Sequence, residues 1–149
     1  KMTILSLLTY ASHLWEPCPK TSALKCERIQ NKALRFIFHS YSRAQSISEL
    51  RDRAALMTVK RKMQHNRLIF FFHINNGDYK VHLREHIALQ PFTTSRTKHS
   101  KHITPLRYRA DLLKYSFLVR SIDDWNQLSQ YIVKHCDFQR FEKALSEYL

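Results

Sequence analysis

Thr58-Val59-Lys60-Arg61-Lys62-Met63-Gln64-His65-Asn66-Arg67-Leu68-Ile69-Phe70-Phe71-Phe72-His73-Ile74-Asn75-Asn76-Gly77 is the stretch that decides the fold class. Thr58 offers the side-chain oxygen that satisfies free N–H groups at a helix start. Gly77 suits the left-handed position that ends a helix. Between them, Leu68 to Phe72 is apolar without interruption, and a helix with no polar side is buried all round. The stretch therefore predicts the central helix of a helical bundle.

Outward from it, turn signals are scarce. One glycine and four prolines in 149 residues leave too few chain reversals for a β protein. The expected fold is mostly α. A first helix is expected over Met2–Trp15, stopped by Pro17 and Pro19. A second runs from a cap at Thr21 or Ser22 to about Phe38, and Ser46-x-x-Glu49 has the form of a capping box for a short third. Pro91 to Pro105 lacks hydrophobic periodicity and reads as an exposed basic loop. Tyr108–Phe117 is open to either an extended or a helical reading, Arg120–Leu128 reads as helix, and Asp137 caps a terminal helix with Phe138, Phe141, Leu145 and Tyr148/Leu149 on one face. The expected organisation is a bundle over 1–77, a basic linker over 78–105 and a short helical extension over 106–149.

Twenty-five Lys and Arg against 12 Asp and Glu give a net charge of +13, which points to a polyanionic partner, nucleic acid first. The charge is uneven: +4 over 1–40, +5 over 41–90, +6 over 91–120 and −2 over 121–149. The last segment is thus the least suited to phosphate. Three cysteines without Cys-x-x-Cys spacing argue against a secreted disulfide scaffold and for an intracellular protein, in nucleus and cytoplasm. The polar-interrupted run Met2–Leu14 is too short to span a bilayer and lacks the pattern of a signal peptide, so no membrane partner is expected.

In the second helix Cys26, Ile29, Ala33, Phe36 and Ile37 recur at helical spacing, and Lys25, Arg28, Lys32 and Arg35 recur one position earlier. One residue is a rotation of about 100°, so a basic stripe is expected beside a buried one. Such a row suits a phosphate backbone, although a solvated helix face has the same pattern. Lys60, Arg61, Lys62 and Arg67 form a second basic cluster, and Lys98, Lys101, Arg107 and Arg109 a third. All twelve are candidate nucleic-acid contacts.

Four blocks in order carry a family resemblance. Tyr115-Ser116-Phe117-Leu118-Val119-Arg120-Ser121-Ile122-Asp123-Asp124-Trp125-Asn126-Gln127-Leu128 resembles the segment Tyr-Ser-Phe-Phe-x-Arg-x-Ile-x-x-Trp-Asn-x-Leu near the C-terminus of non-LTR (LINE-like) retrotransposon reverse transcriptases. Tyr10-Ala11-Ser12-x-x-Trp15-Glu16-Pro17, Glu27-Arg28-Ile29-Gln30-Asn31-Lys32-Ala33-Leu34-Arg35-Phe36-Ile37 and Phe72-His73-Ile74-Asn75-Asn76-Gly77 are similar to further blocks of that region. The resemblance implies the thumb and C-terminal extension of an RNA-directed DNA polymerase, a helical part that grips a template–primer duplex. The implied partners are RNA–DNA or DNA duplex, RNA, and the remainder of the parent polymerase. Ser129 stands where the family usually has proline, and the Cys-His zinc knuckle and the endonuclease that end some relatives have no counterpart in these residues. A stand-alone helical nucleic-acid or protein interaction module derived from a transposon fragment is the alternative.

Catalysis is not expected here. The carboxylates are scattered apart from Asp123-Asp124, whose side chains would point about 100° apart on a helix. No catalytic residue, cofactor or metal ligand is assigned, and divalent metal is expected only in the polymerase core outside this chain. His82 and His86, and His99 and His102, lack a completing ligand at recognised spacing, while His135-Cys136 reads as a surface histidine beside a buried thiol. Tyr10, Trp15, Phe117, Trp125 and Asn126 are read as structural anchors: tryptophan brings a large apolar area with one N–H to satisfy, and asparagine can bind backbone groups. Base stacking is the competing role for Trp125, and for Tyr10 and Trp15.

Overall fold

A computed structural model describes residues 2–16, 20–42, 45–79, 99–107 and 109–149. Lys98, His82, His86, the proline stop at 17–19 and most of the expected basic linker lie outside these residues. The described chain is mostly helical: α1 (Met2–Thr9), α2 (Ser12–Trp15), α3 (Lys20–Ile37), α4 (Ile47–Arg53), α5 (Val59–Asn76), α6 (Asp111–Lys114), α7 (Phe117–Gln127), α8 (Gln130–Val133) and α9 (Phe138–Tyr148). It forms two compact units, 1–66 and 67–149, that divide within α5.

Side-chain caps set three of the helix starts. Ser46 Oγ accepts from Ser48 N–H at α4, Thr58 Oγ1 from Arg61 N–H at α5, and Asp137 Oδ2 from Arg140 N–H at α9. Three helices stop with a residue in the left-handed region: His39 (φ 49°), Ala55 (φ 51°) and Gly77 (φ 82°). In each case the next N–H turns back to a carbonyl five residues earlier, as Ser40 to Arg35, Leu56 to Arg51 and Asp78 to His73.

The expected first helix is broken in two. Ala11 is left-handed (φ 46°), and the Tyr10 carbonyl, released from helical pairing, accepts the Trp15 indole N–H. Tyr10 is 79% and Trp15 43% exposed, so neither is the core anchor that the apolar run suggests.

In the first unit α1 and α4 both pack on α3. Leu34, Leu50, Val59 and Met63 are buried there. The face that α3 buries differs from the expected stripe: Gln30 and Leu34 are buried, whereas Ile29 and Phe36 are 48% and 68% exposed. Backbone groups decide this. Gln30 Nε2 donates to the Met57 carbonyl at 2.9 Å, and Glu27 Oε1 accepts from Lys60 N–H at 3.0 Å. Both bonds tie this face of α3 to backbone groups of the 57–60 turn, and with it inward Ile29 and Phe36 face outward.

The core of the second unit joins the end of α5 to the C-terminal helices. Leu68, Phe71 and Phe72 are buried with Ile103, Ile122, Trp125, Leu128, Ile132, Val133, Phe141 and Leu145. Phe72 stacks on Phe141 with ring centroids 4.3 Å apart, and Phe71 meets Trp125 edge-on at 5.5 Å. The stretch read as an exposed loop ends inside this core, because His99 and Ile103 are buried.

Candidate nucleic-acid surface

α3 positions the surface. With about 100° per residue, Leu24, Lys25, Arg28, Ile29, Lys32 and Phe36 fall within about 140° of the helix circumference. All six are exposed. Glu27, the acidic residue of this helix, lies outside that arc and is held by Lys60 N–H. Three cations therefore share a face with no carboxylate of α3 and with three apolar neighbours. The same Glu27 bond sets the first turn of α5 against the middle of α3, where Lys60 and Arg61 are exposed and Lys62 is half-buried.

Two of the expected phosphate contacts have other work. Arg35 Nη1 donates to the Ser40 carbonyl at 3.2 Å and to the Ser42 carbonyl at 2.9 Å, so its guanidinium clamps the turn that follows α3. Arg67 is 5% exposed and paired with Asp124. Burial pulls its guanidinium below the ordinary arginine range, and the carboxylate of Asp124 opposes that shift. Its place after a basic run gives no sign of this, since the carboxylate that pairs with it lies 57 positions further along the chain. Arg107 and Arg109 are exposed, and Lys101 is half-buried with Nζ 3.8 Å from Cys136 Sγ. Cys136 is exposed, contrary to the buried thiol expected.

Trp125 and Asn126 are structural in their contacts. Trp125 is 1% exposed and donates its indole N–H to the Lys101 carbonyl at 3.0 Å. The Asn126 side chain accepts from Ile103 N–H at 3.0 Å and donates to the Ile103 carbonyl at 2.8 Å. His99 Nε2 lies 2.9 Å from the Trp125 carbonyl, an acceptor, so this nitrogen carries the hydrogen. Burial holds His99 below the ordinary histidine pKa. Phe117 is half-buried against Phe70, ring centroids 5.4 Å apart.

Among the described residues no group of three or more His, Cys, Asp or Glu side chains could hold a metal ion. No helix among them is long and apolar enough to cross a membrane. No family model, curated protein or solved structure matches the chain.

Proposed function

We propose that this chain is a nucleic-acid-gripping, non-catalytic part of an intracellular RNA-directed DNA polymerase, corresponding to the thumb and C-terminal extension of a non-LTR retrotransposon enzyme. The observation that carries the reading is the exposed row Lys25, Arg28 and Lys32 on α3, beside Lys60 and Arg61, with no carboxylate of α3 on that face. Cations so arranged neutralise successive phosphates and release their counterions, which gives affinity without base readout. The four ordered blocks resembling the polymerase region supply the enzyme class. Nucleotide chemistry lies in the parent core, so primed template, nucleotides and magnesium give no extension with this chain alone.

Anisotropy of a labelled RNA–DNA hybrid across a salt series tests the reading. Replacing Lys25, Arg28 and Lys32 together with Gln flattens the slope of log K against log salt by roughly 2–3, at about 0.9 per phosphate contact. An unchanged slope assigns the row to solvent. A stand-alone module with a protein partner is the second reading, favoured by Leu7, Tyr10 and Leu14, each more than 70% exposed. It predicts no measurable hybrid binding at physiological salt.

A further inference from the structure

The α3 face is not only basic. Phe36 is 68% exposed on the same arc as Lys25, Arg28 and Lys32, and Tyr41 is 67% exposed just beyond the helix end. Between them His39 holds its ring 6.4 Å from that of Phe36. The turn bearing Tyr41 is fixed, because Arg35 Nη1 holds the carbonyls on both sides of it, Ser40 and Ser42. Along the axis Lys25 and Lys32 stand about 10 Å apart, with Phe36 about 6 Å further on. The row of cations therefore leads along the helix to the exposed ring of Phe36, with the exposed Tyr41 in the turn that follows.

We infer that this face holds an unpaired nucleic-acid strand, its phosphates on Lys25, Arg28 and Lys32 and its bases against Phe36 and Tyr41. The inference rests on the nucleic-acid reading above and specifies which part of the ligand α3 takes. A blunt duplex offers phosphates to the cations but keeps its base faces stacked inside, leaving Phe36 and Tyr41 in water. An unpaired base has a free π-face for each of them, and stacking of this kind tolerates any sequence. The charge of the row commits the occupant to a polyanion.

The experiment compares two labelled RNA–DNA hybrids with the full 149-residue chain at one salt concentration. One is blunt, and the other carries a ten-nucleotide single-stranded overhang. The overhang is expected to tighten binding about tenfold, and Phe36→Ala with Tyr41→Ala to remove that gain while leaving blunt-hybrid binding unchanged. Phe36→Trp keeps the gain and Phe36→Leu loses it, which separates stacking from plain apolar contact. Because both rings are exposed, the variants keep the wild-type melt. Equal affinity for the two hybrids, or a gain that survives the double substitution, overturns the inference and leaves the nucleic-acid reading standing. Absence of binding to either hybrid sinks both. Polyglutamate that displaces the overhang hybrid as well as single-stranded DNA of equal charge overturns the inference in favour of an acidic protein partner.

Discussion

Asn126 and Ile103 are joined by two hydrogen bonds, the side-chain amide pairing with both backbone groups of one residue as a neighbouring strand would. One residue earlier, Trp125 takes the Lys101 carbonyl and gives its own carbonyl to His99. Consecutive residues of α7 thus fasten the 99–103 segment to the core. Asn126→Asp removes the donor and sets a carboxylate against the Ile103 carbonyl. We expect a loss of about 1–3 kcal/mol, the cost of an unsatisfied buried acceptor, measured by chemical denaturation.

Trp125→Ala removes the indole from between Phe71 and Phe141, whose rings lie 5.5 and 5.9 Å away. A deletion of that size in a packed core costs about 3–5 kcal/mol. The expected outcome is a large drop in the melting midpoint. A folded protein with an unchanged melt and weaker nucleic-acid binding would return Trp125 to the stacking role.

Asp124→Asn leaves the buried Arg67 guanidinium without its counter-charge. Asp124 keeps 19% of its side chain in water, which softens the loss, and we expect about 3 kcal/mol. Arg67→Met in the same chain removes the stranded charge and recovers most of it. Neither variant alters the salt slope of hybrid binding, since Arg67 is not a phosphate contact. A flattened slope in the Arg67→Met, Asp124→Asn double variant overturns this.

Acidification destabilises the second unit through His99. Its Nε2–H faces the Trp125 carbonyl, its Nδ1 is buried without a hydrogen-bond partner among the described residues, and Lys101 and His102 oppose a positive charge there. The folded pKa lies below the ordinary 6.5, so in the interval between them the unfolded chain holds more protons. Stability is therefore full above about 6.5 and falls as pH drops through that interval. Asp123, raised from its ordinary 3.8 by burial and by Asp124, acts in the opposite sense at lower pH. His99→Gln, which keeps a donor for the Trp125 carbonyl, flattens the dependence of the melting midpoint on pH below 6.5. A wild-type slope in that variant excludes His99 as the source.

The sequence made the bounds of α5 legible because both its signals are chemical: a threonine oxygen at one end and a glycine at the other. Ser46 and Asp137 were legible for the same reason. The buried face of α3 was not. Periodicity ranks positions by apolarity, and it cannot see that Glu27 and Gln30 face inward to satisfy Lys60 N–H and the Met57 carbonyl. On the candidate surface, Lys25, Arg28 and Lys32 stand out in the sequence, but the engagement of Arg35 and Arg67 depends on carbonyls and a carboxylate that charge counting does not locate. The aromatic end of that surface is hidden for the same reason, since periodicity places Phe36 with the buried positions.

Two of the three left-handed helix stops lack glycine, which is why they gave no signal, and one of them offers a direct test. Ala55 sits at φ 51° after α4, with its N–H bonded to the Asp52 carbonyl and that of Leu56 to the Arg51 carbonyl. A Cβ in this region crowds the following carbonyl at a cost of roughly 1–2 kcal/mol, which glycine avoids. Glycine also raises the entropy of the unfolded chain and returns about 0.5–1 kcal/mol of that advantage. Ala55→Gly is therefore expected to stabilise the first unit by about 0.5–1 kcal/mol, read as a raised denaturation midpoint at unchanged m-value. The same substitution at Ala33, inside α3, has the opposite sign and costs about 1 kcal/mol. If Ala55→Gly destabilises as Ala33→Gly does, α4 does not end in this left-handed stop.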